Sequence, residues 1–237
     1  AFGVAFIAGL QDTGVMAVGK HFPGHGDTGT DSHVSLPVVA HDRSRLEAVE
    51  FLPFRAAIEA GIAGIMSAHV TFPAVDPAPG LPATLSRKVM TGLLRDEMGY
   101  DGLLLTDSLE MGALARSGYP VPAAAVASLA AGADLLCISH GFTVHRQVHA
   151  ALVQAIERGE IPMARLDAAV RRILKAKDQY GLLDGSGRVA QAGGQGPAGV
   201  GGHEAASLSR RVSEQAITVL RDRDRLLPLA GKGGDRP

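Results

Sequence analysis

Residues 20–33 read Lys-His-Phe-Pro-Gly-His-Gly-Asp-Thr-Gly-Thr-Asp-Ser-His. Six ionisable side chains, Lys20, His21, His25, Asp27, Asp31 and His33, share this stretch with three glycines and a proline. Such a composition forbids a helix and supplies few side chains for a core. An ionisable loop that opens from a short apolar run, here 15–18, is where enzymes keep catalytic groups. Within it, His33 stands two residues after Asp31. A carboxylate on one imidazole nitrogen fixes the tautomer and raises the ring's basicity, so that the other nitrogen can donate a proton near neutral pH. A loop histidine bonded to nearby backbone is the alternative. Metal ligation by His21, His25, Asp27 and His33 is the weaker reading. The stretch lacks the helical i, i+4 frame that makes paired histidines a rigid chelate.

A second candidate is Asp107, which closes the run Gly-Leu-Leu-Leu-Thr-Asp. A carboxylate at the end of a strong strand can be a nucleophile, a general base, a metal ligand or an electrostatic anchor. It can also merely cap the next helix. His69 ends another apolar run, and facing a ligand or serving as a satisfied core histidine are equal alternatives for it.

Positioning these groups requires strands. Four apolar runs, 14–21, 62–70, 102–107 and 133–139, read as strands covered on both faces. Helical patterns separate them at 43–60, 85–98, 121–131 and 144–158, and a further helix starts at Pro162 and stops at Gly181. This alternation predicts parallel strands joined by right-handed crossovers. The first three runs end in Lys20-His21, Ser67 with His69, and Thr106-Asp107-Ser108. In a β/α barrel the chemistry sits at these carboxyl ends. Four βα units make either half of an eight-unit barrel or a smaller open sheet. The chain opens at Ala1 in what reads as the middle of a helix, which favours half a barrel. After a glycine-rich linker over 184–203, residues 204–237 read as a helix, a strand at 216–220 and the start of a truncated second α/β domain.

Three segments together resemble family 3 glycoside hydrolases, in particular their bacterial β-N-acetylglucosaminidase branch. They are Lys20–His33, the Ile-Met-Ser-Ala-His-Val of 65–70, and 82–111, which ends Gly-Leu-Leu-Leu-Thr-Asp-Ser-Leu-Glu-Met. The resemblance covers about 1–183 and extends more weakly to 204–229. It implies a (β/α)8 TIM-type barrel, of which 1–183 is the C-terminal half. It also implies retaining hydrolysis of terminal β-N-acetylglucosaminides in peptidoglycan fragments or short chito-oligosaccharides. By position, Asp107 matches the nucleophile, His33 the general acid/base and Asp31 its partner. Lys20 and His21 match sugar-binding residues, and His69 is assigned with them. The family's N-terminal half supplies an Asp and an Arg that hold sugar hydroxyls. With those positions missing, the chain by itself is expected to be inactive. Phosphorolysis with the same residues and a non-catalytic sugar-binding fragment are the alternatives.

Bulk properties narrow the partners. A net charge of -1 gives no electrostatic footprint for nucleic acid. The single cysteine, Cys137, excludes an internal disulfide and a cysteine-based zinc site. No apolar run approaches the length of a membrane span. The expected partner is a small carbohydrate containing N-acetylglucosamine, with no cofactor and no metal. Absence of tryptophan argues against an extended aromatic platform for long chitin chains.

Overall fold

The structure, a computed structural model, describes residues 2–29, 36–139, 141–183, 202–221 and 223. The chain divides into two compact units, Ala1–Arg188 and Val189–Pro237. In the first unit three of the four apolar runs form strands: β1 (Val18–Phe22), β2 (Gly64–Ser67) and β3 (Leu103–Leu105). They lie in sequence order in one parallel sheet, with Val18 opposite Gly64 and Gly64 opposite Leu103. Gly64 sits where the strands crowd. A Cβ there would stand 3.0 Å from Val18 Cγ2 and 3.3 Å from Leu105 Cδ1.

The strand expected over 133–139 is reduced to a single parallel bridge between Leu105 and Leu135. The run starts alongside β3, where the Thr106 N–H reaches the Leu135 carbonyl at 3.0 Å. It does not continue, because the Cys137 N–H donates to Thr106 Oγ1 at 2.9 Å and not to a strand carbonyl. A side chain has taken the place of the next ladder bond.

Helical chain alternates with these strands. Helix α1 (Phe2–Asp12) precedes β1. The helix expected over 43–60 begins at Asp42, whose carboxylate accepts from the Arg45 N–H at 2.8 Å. It then passes through a π-helical turn, Leu46–Glu50, before α2 (Leu52–Glu59). The Phe51 N–H to Leu46 carbonyl bond of 2.8 Å is the i→i+5 step that marks the turn. A π-helix, Lys88–Glu97, follows β2. Beyond β3 come a short unexpected α3 (Gly112–Arg116), then α4 (Val121–Ala131) on the expected bounds, α5 (Phe142–Glu157) and α6 (Met163–Gln179). Gly181, at φ +64°, closes the last of these.

The core lies between the sheet and these helices. Phe22, Leu46, Phe51, Ile65, Leu93 and Leu104 are fully buried. Phe22 meets Phe54 edge to face, with centroids 5.1 Å apart. Beneath the sheet, Asp134 is a carboxylate with no side-chain exposure. It accepts from Arg95 Nη2 at 2.8 Å, Arg165 Nη2 at 3.0 Å and the Leu104 N–H at 3.1 Å. One anion thus ties the Lys88–Glu97 helix and α6 to β3. Its partner Arg95 is itself mostly buried, at 9% side-chain exposure.

In the second unit α7 (His203–Ala216) is described, and the strand expected at 216–220 is absent. Ala216 is still helical, and the residues after it have no ladder partner among the described residues. A strand draws its hydrogen bonds from a neighbour. The linker expected over 184–203 lies outside the described residues except at 202 and 203. Among the described residues no helix is long and apolar enough to cross a membrane.

Removing the anion beneath the sheet strands buried guanidinium charge. Asp134→Ala is expected to cost about 3–5 kcal/mol, measured as a lower urea midpoint at unchanged slope. A cost below about 1 kcal/mol, the scale of an exposed pair, would show that the cluster does not hold these helices.

Candidate active site

Parallel strands carry their carboxyl ends to one rim, and two of the expected site residues meet there. His21 is on β1, and Asp107 follows β3 by two residues. His21 Nδ1 lies 3.4 Å from Asp107 Oδ2. This is a close polar contact without hydrogen-bond geometry, and that His21 nitrogen has no hydrogen-bond partner among the described residues. The two side chains keep 23% and 22% of their exposure, enough for a ligand to touch both. Alternation along the strand end explains why Asp107 faces outward. Its neighbour Thr106 is fully buried and bonds Cys137, while the Ser108 N–H turns back to donate to Asp107 Oδ1 at 2.8 Å.

Lys20, His21, His25, Asp27, Asp107 and Met111 line the polar end of a cavity of about 960 Å³. The cavity continues along β1 as an apolar cleft lined by Ile7, Val18, Phe54 and Ile62. There β1 has no second strand neighbour among the described residues. Gly24 shapes the turn leaving β1. It sits at φ +141°, and a Cβ on it would lie 2.7 Å from Glu50 Cβ, so only glycine lets the loop pack against the π-helical turn.

Not every expected residue reaches the cavity. His69 is buried, at 1% exposure, and is absent from the cavity lining. Both ring nitrogens are engaged inside the protein, Nε2 with the Ser108 carbonyl and Nδ1 with Thr84 Oγ1, each at 2.9 Å. Packing of the β2 end against the loop after β3 has drawn it inward, so contact between His69 and a sugar does not follow from this geometry. Asp31 and His33 lie outside the described residues.

The structure adds a cluster that the sequence does not reveal. His41 Nε2 donates to Asp27 Oδ2 at 2.6 Å, and Arg45 Nη2 lies 3.0 Å from Glu50 Oε1 and 3.6 Å from Asp27 Oδ2. One oxygen of each carboxylate and one nitrogen of His41 fall within 4.8 Å of one another. The Arg45 guanidinium lies against both carboxylates and His41 bonds one of them, which is the arrangement of an ion-pair network more than of a vacant cation site. His41 lies 14 residues from Asp27, with no periodic spacing to mark the pair.

Burial is the largest influence on His21 and lowers its pKa below the ordinary 6.5, against the opposing pull of the Asp107 carboxylate. His69 is lowered for the same leading reason. Both rings are therefore neutral at pH 7. As the pH falls past about 6.5, the unfolded chain takes up protons that the folded chain refuses. Stability from these two rings is complete above that value and is lost as the pH drops toward their lowered pKa values. The urea midpoint is expected to decline between pH 7 and pH 5, and to decline less in His69→Gln; a flat profile would contradict the assignment.

Comparison with known proteins identifies the family. The family model described as the glycosyl hydrolase family 3 N terminal domain matches residues 1–176. A beta-hexosaminidase A from Pseudoalteromonas piscicida is 34% identical over 243 residues, covering 96% of this chain and 39% of that protein. Among solved structures, a family 3 beta-N-acetylglucosaminidase from Paenibacillus superposes with a TM-score of 0.85 at 45% identity, over 92% of this chain and 40% of that one. The beta-glucoside phosphorylase BglX superposes with a TM-score of 0.82 at 27% identity, over 96% and 41%. The chain thus spans less than half the length of each of these relatives. Its parallel strand–helix units form part of a TIM-type barrel, and the chain belongs to glycosyl hydrolase family 3.

Proposed function

We propose that this chain carries the nucleophile half of a retaining β-N-acetylglucosaminidase. The observation that carries this reading is Asp107, held by the Ser108 N–H and open to the cavity beside neutral His21. Asp107 attacks the anomeric carbon of a terminal β-N-acetylglucosaminide while the bond to the aglycone oxygen breaks. His33, oriented by Asp31, gives that oxygen its proton. His33 then takes a proton from water, the water attacks the same carbon, the bond to Asp107 breaks, and the sugar leaves with its configuration kept. Lys20 and His21 hold hydroxyls of the bound sugar. The names of the hexosaminidase and N-acetylglucosaminidase relatives support the substrate class. Peptidoglycan fragments or short chito-oligosaccharides suit a cavity lined by few aromatics.

A second reading, phosphorolysis, is favoured by one residue type. A carboxylate acid/base would repel an incoming phosphate anion, and a histidine does not. The similarity to a beta-glucoside phosphorylase points the same way. Turnover in phosphate buffer decides between them: a sugar 1-phosphate product indicates phosphorolysis, and free sugar alone indicates hydrolysis.

Two substitutions test the roles in protein made from its whole coding sequence. Asp107→Ala is expected to abolish turnover even of activated aryl glycosides; retained turnover would remove Asp107 from the mechanism. His33→Ala is expected to slow substrates with poor leaving groups by about 10²–10⁴-fold and those with good leaving groups far less. Equal losses across leaving groups would count against His33 as the acid.

A further inference from the structure

We propose that His69 is a positioning residue for Asp107, acting through the backbone of Ser108 as one fixed tautomer with its proton on Nε2. This rests on the reading of Asp107 as the nucleophile.

The hydrogen bonds determine the tautomer. A carbonyl oxygen can only accept, so the 2.9 Å contact between His69 Nε2 and the Ser108 carbonyl places a proton on Nε2. Burial keeps the ring neutral, which leaves Nδ1 as an acceptor. The donor to Nδ1 is then the Thr84 hydroxyl, at 2.9 Å. Thr84 Oγ1 in turn accepts from Ser67 Oγ, also at 2.9 Å. The Ala68 carbonyl, 2.9 Å from the same hydroxyl, competes for its proton but also accepts the Thr84 N–H at 3.2 Å, whereas Nδ1 of the neutral ring has only this hydroxyl as donor. One directed chain results, from Ser67 through Thr84 and His69 to the Ser108 carbonyl. Ser67 and Thr84 are fully buried and His69 nearly so.

The end of this chain lies next to the reacting carboxylate. The peptide between Ser108 and Leu109 is gripped at both poles, its carbonyl by His69 and its N–H by the Cys137 carbonyl at 2.9 Å. Fixing that peptide fixes Ser108, whose own N–H donates to Asp107 Oδ1 at 2.8 Å. A buried imidazole is a costly way to fill space, since each nitrogen must find a partner. Here one partner is the residue that aims the carboxylate. Ring neutrality has a further consequence: no full positive charge stands behind the nucleophile to weaken it.

The test uses protein made from its whole coding sequence and a fluorinated glycosyl donor with a good leaving group, which leaves a stable mass on a live nucleophile. His69→Leu removes the donor to Ser108, and His69→Gln keeps an amide N–H near the place of Nε2. Misplacing a reacting group by an ångström can cost about 10²-fold, so the maximal labelling rate of His69→Leu is expected to fall by about that factor. The concentration for half-maximal labelling is expected to stay unchanged, and His69→Gln to recover most of the rate. A merely structural role would shift the urea midpoint and leave the rate alone. Labelling of folded His69→Leu at the wild-type rate, alongside a labelled wild type, would overturn the role of His69 only. A wild type that takes no label would overturn Asp107 as nucleophile first. Nitrogen-15 spectra of the wild-type ring give a check that needs no variant: the Nε2–H tautomer is expected through neutral pH, and the Nδ1–H tautomer would refute the chain of bonds.

Discussion

A parallel sheet delivers the carboxyl ends of all its strands to the same side, and this places His21 and Asp107 3.4 Å apart although 86 positions of sequence separate them. Register is the constraint on which the remainder depends. With Val18, Gly64 and Leu103 level with one another, the strands end together, and the loops after them share one rim. A side chain at Gly64 would crowd the Val18 and Leu105 side chains that flank it, and a side chain at Gly24 would lift the loop after β1 away from Glu50. The buried Asp134 cluster holds the opposite part of the layer, where guanidinium groups from two helices converge on one carboxylate below β3. The rim can therefore carry polar and titratable groups because the layer beneath it is fixed by packing and by compensated charge.

Chemistry at the rim turns on how each polar group is satisfied. Asp107 accepts a backbone N–H and keeps an outward oxygen near His21. His69 spends both nitrogens inside the protein. Asp27 and Glu50 are partnered by His41 and Arg45 at the foot of the loop after β1. The family match gives this pattern its context, since residues 1–176 belong to the N-terminal domain of glycosyl hydrolase family 3. The relatives this chain resembles include proteins named as a hexosaminidase and an N-acetylglucosaminidase.

Much of the architecture can be read from residue order. Apolar runs identified β1, β2 and β3, and the helical pattern expected near 121–131 is α4. The differences each have a local cause. A π-helical turn at Leu46–Glu50 shows no break in apolar pattern, because one extra residue per turn shifts the face without changing its character. The fourth run stops being a strand at Cys137, where a threonine hydroxyl takes its N–H. Asp134 hides in an apolar run, and its cationic partners lie 31 to 39 residues away. Asp107 could be singled out because a strand end exposes it. The inward turn of His69 could not, since it depends on Thr84 and Ser108, at separations of 15 and 39 residues.

The central claim is that a carboxylate at the end of β3 forms a bond to the sugar before water or phosphate does. The anomeric form of the first product tests whether displacement at the anomeric carbon occurs twice. Proton NMR during hydrolysis of a β-N-acetylglucosaminide, recorded before the free sugar mutarotates, is predicted to show the β-anomer appearing first, as two successive inversions at one carbon require. First appearance of the α-anomer would mean a single displacement by water and would contradict a covalent role for Asp107.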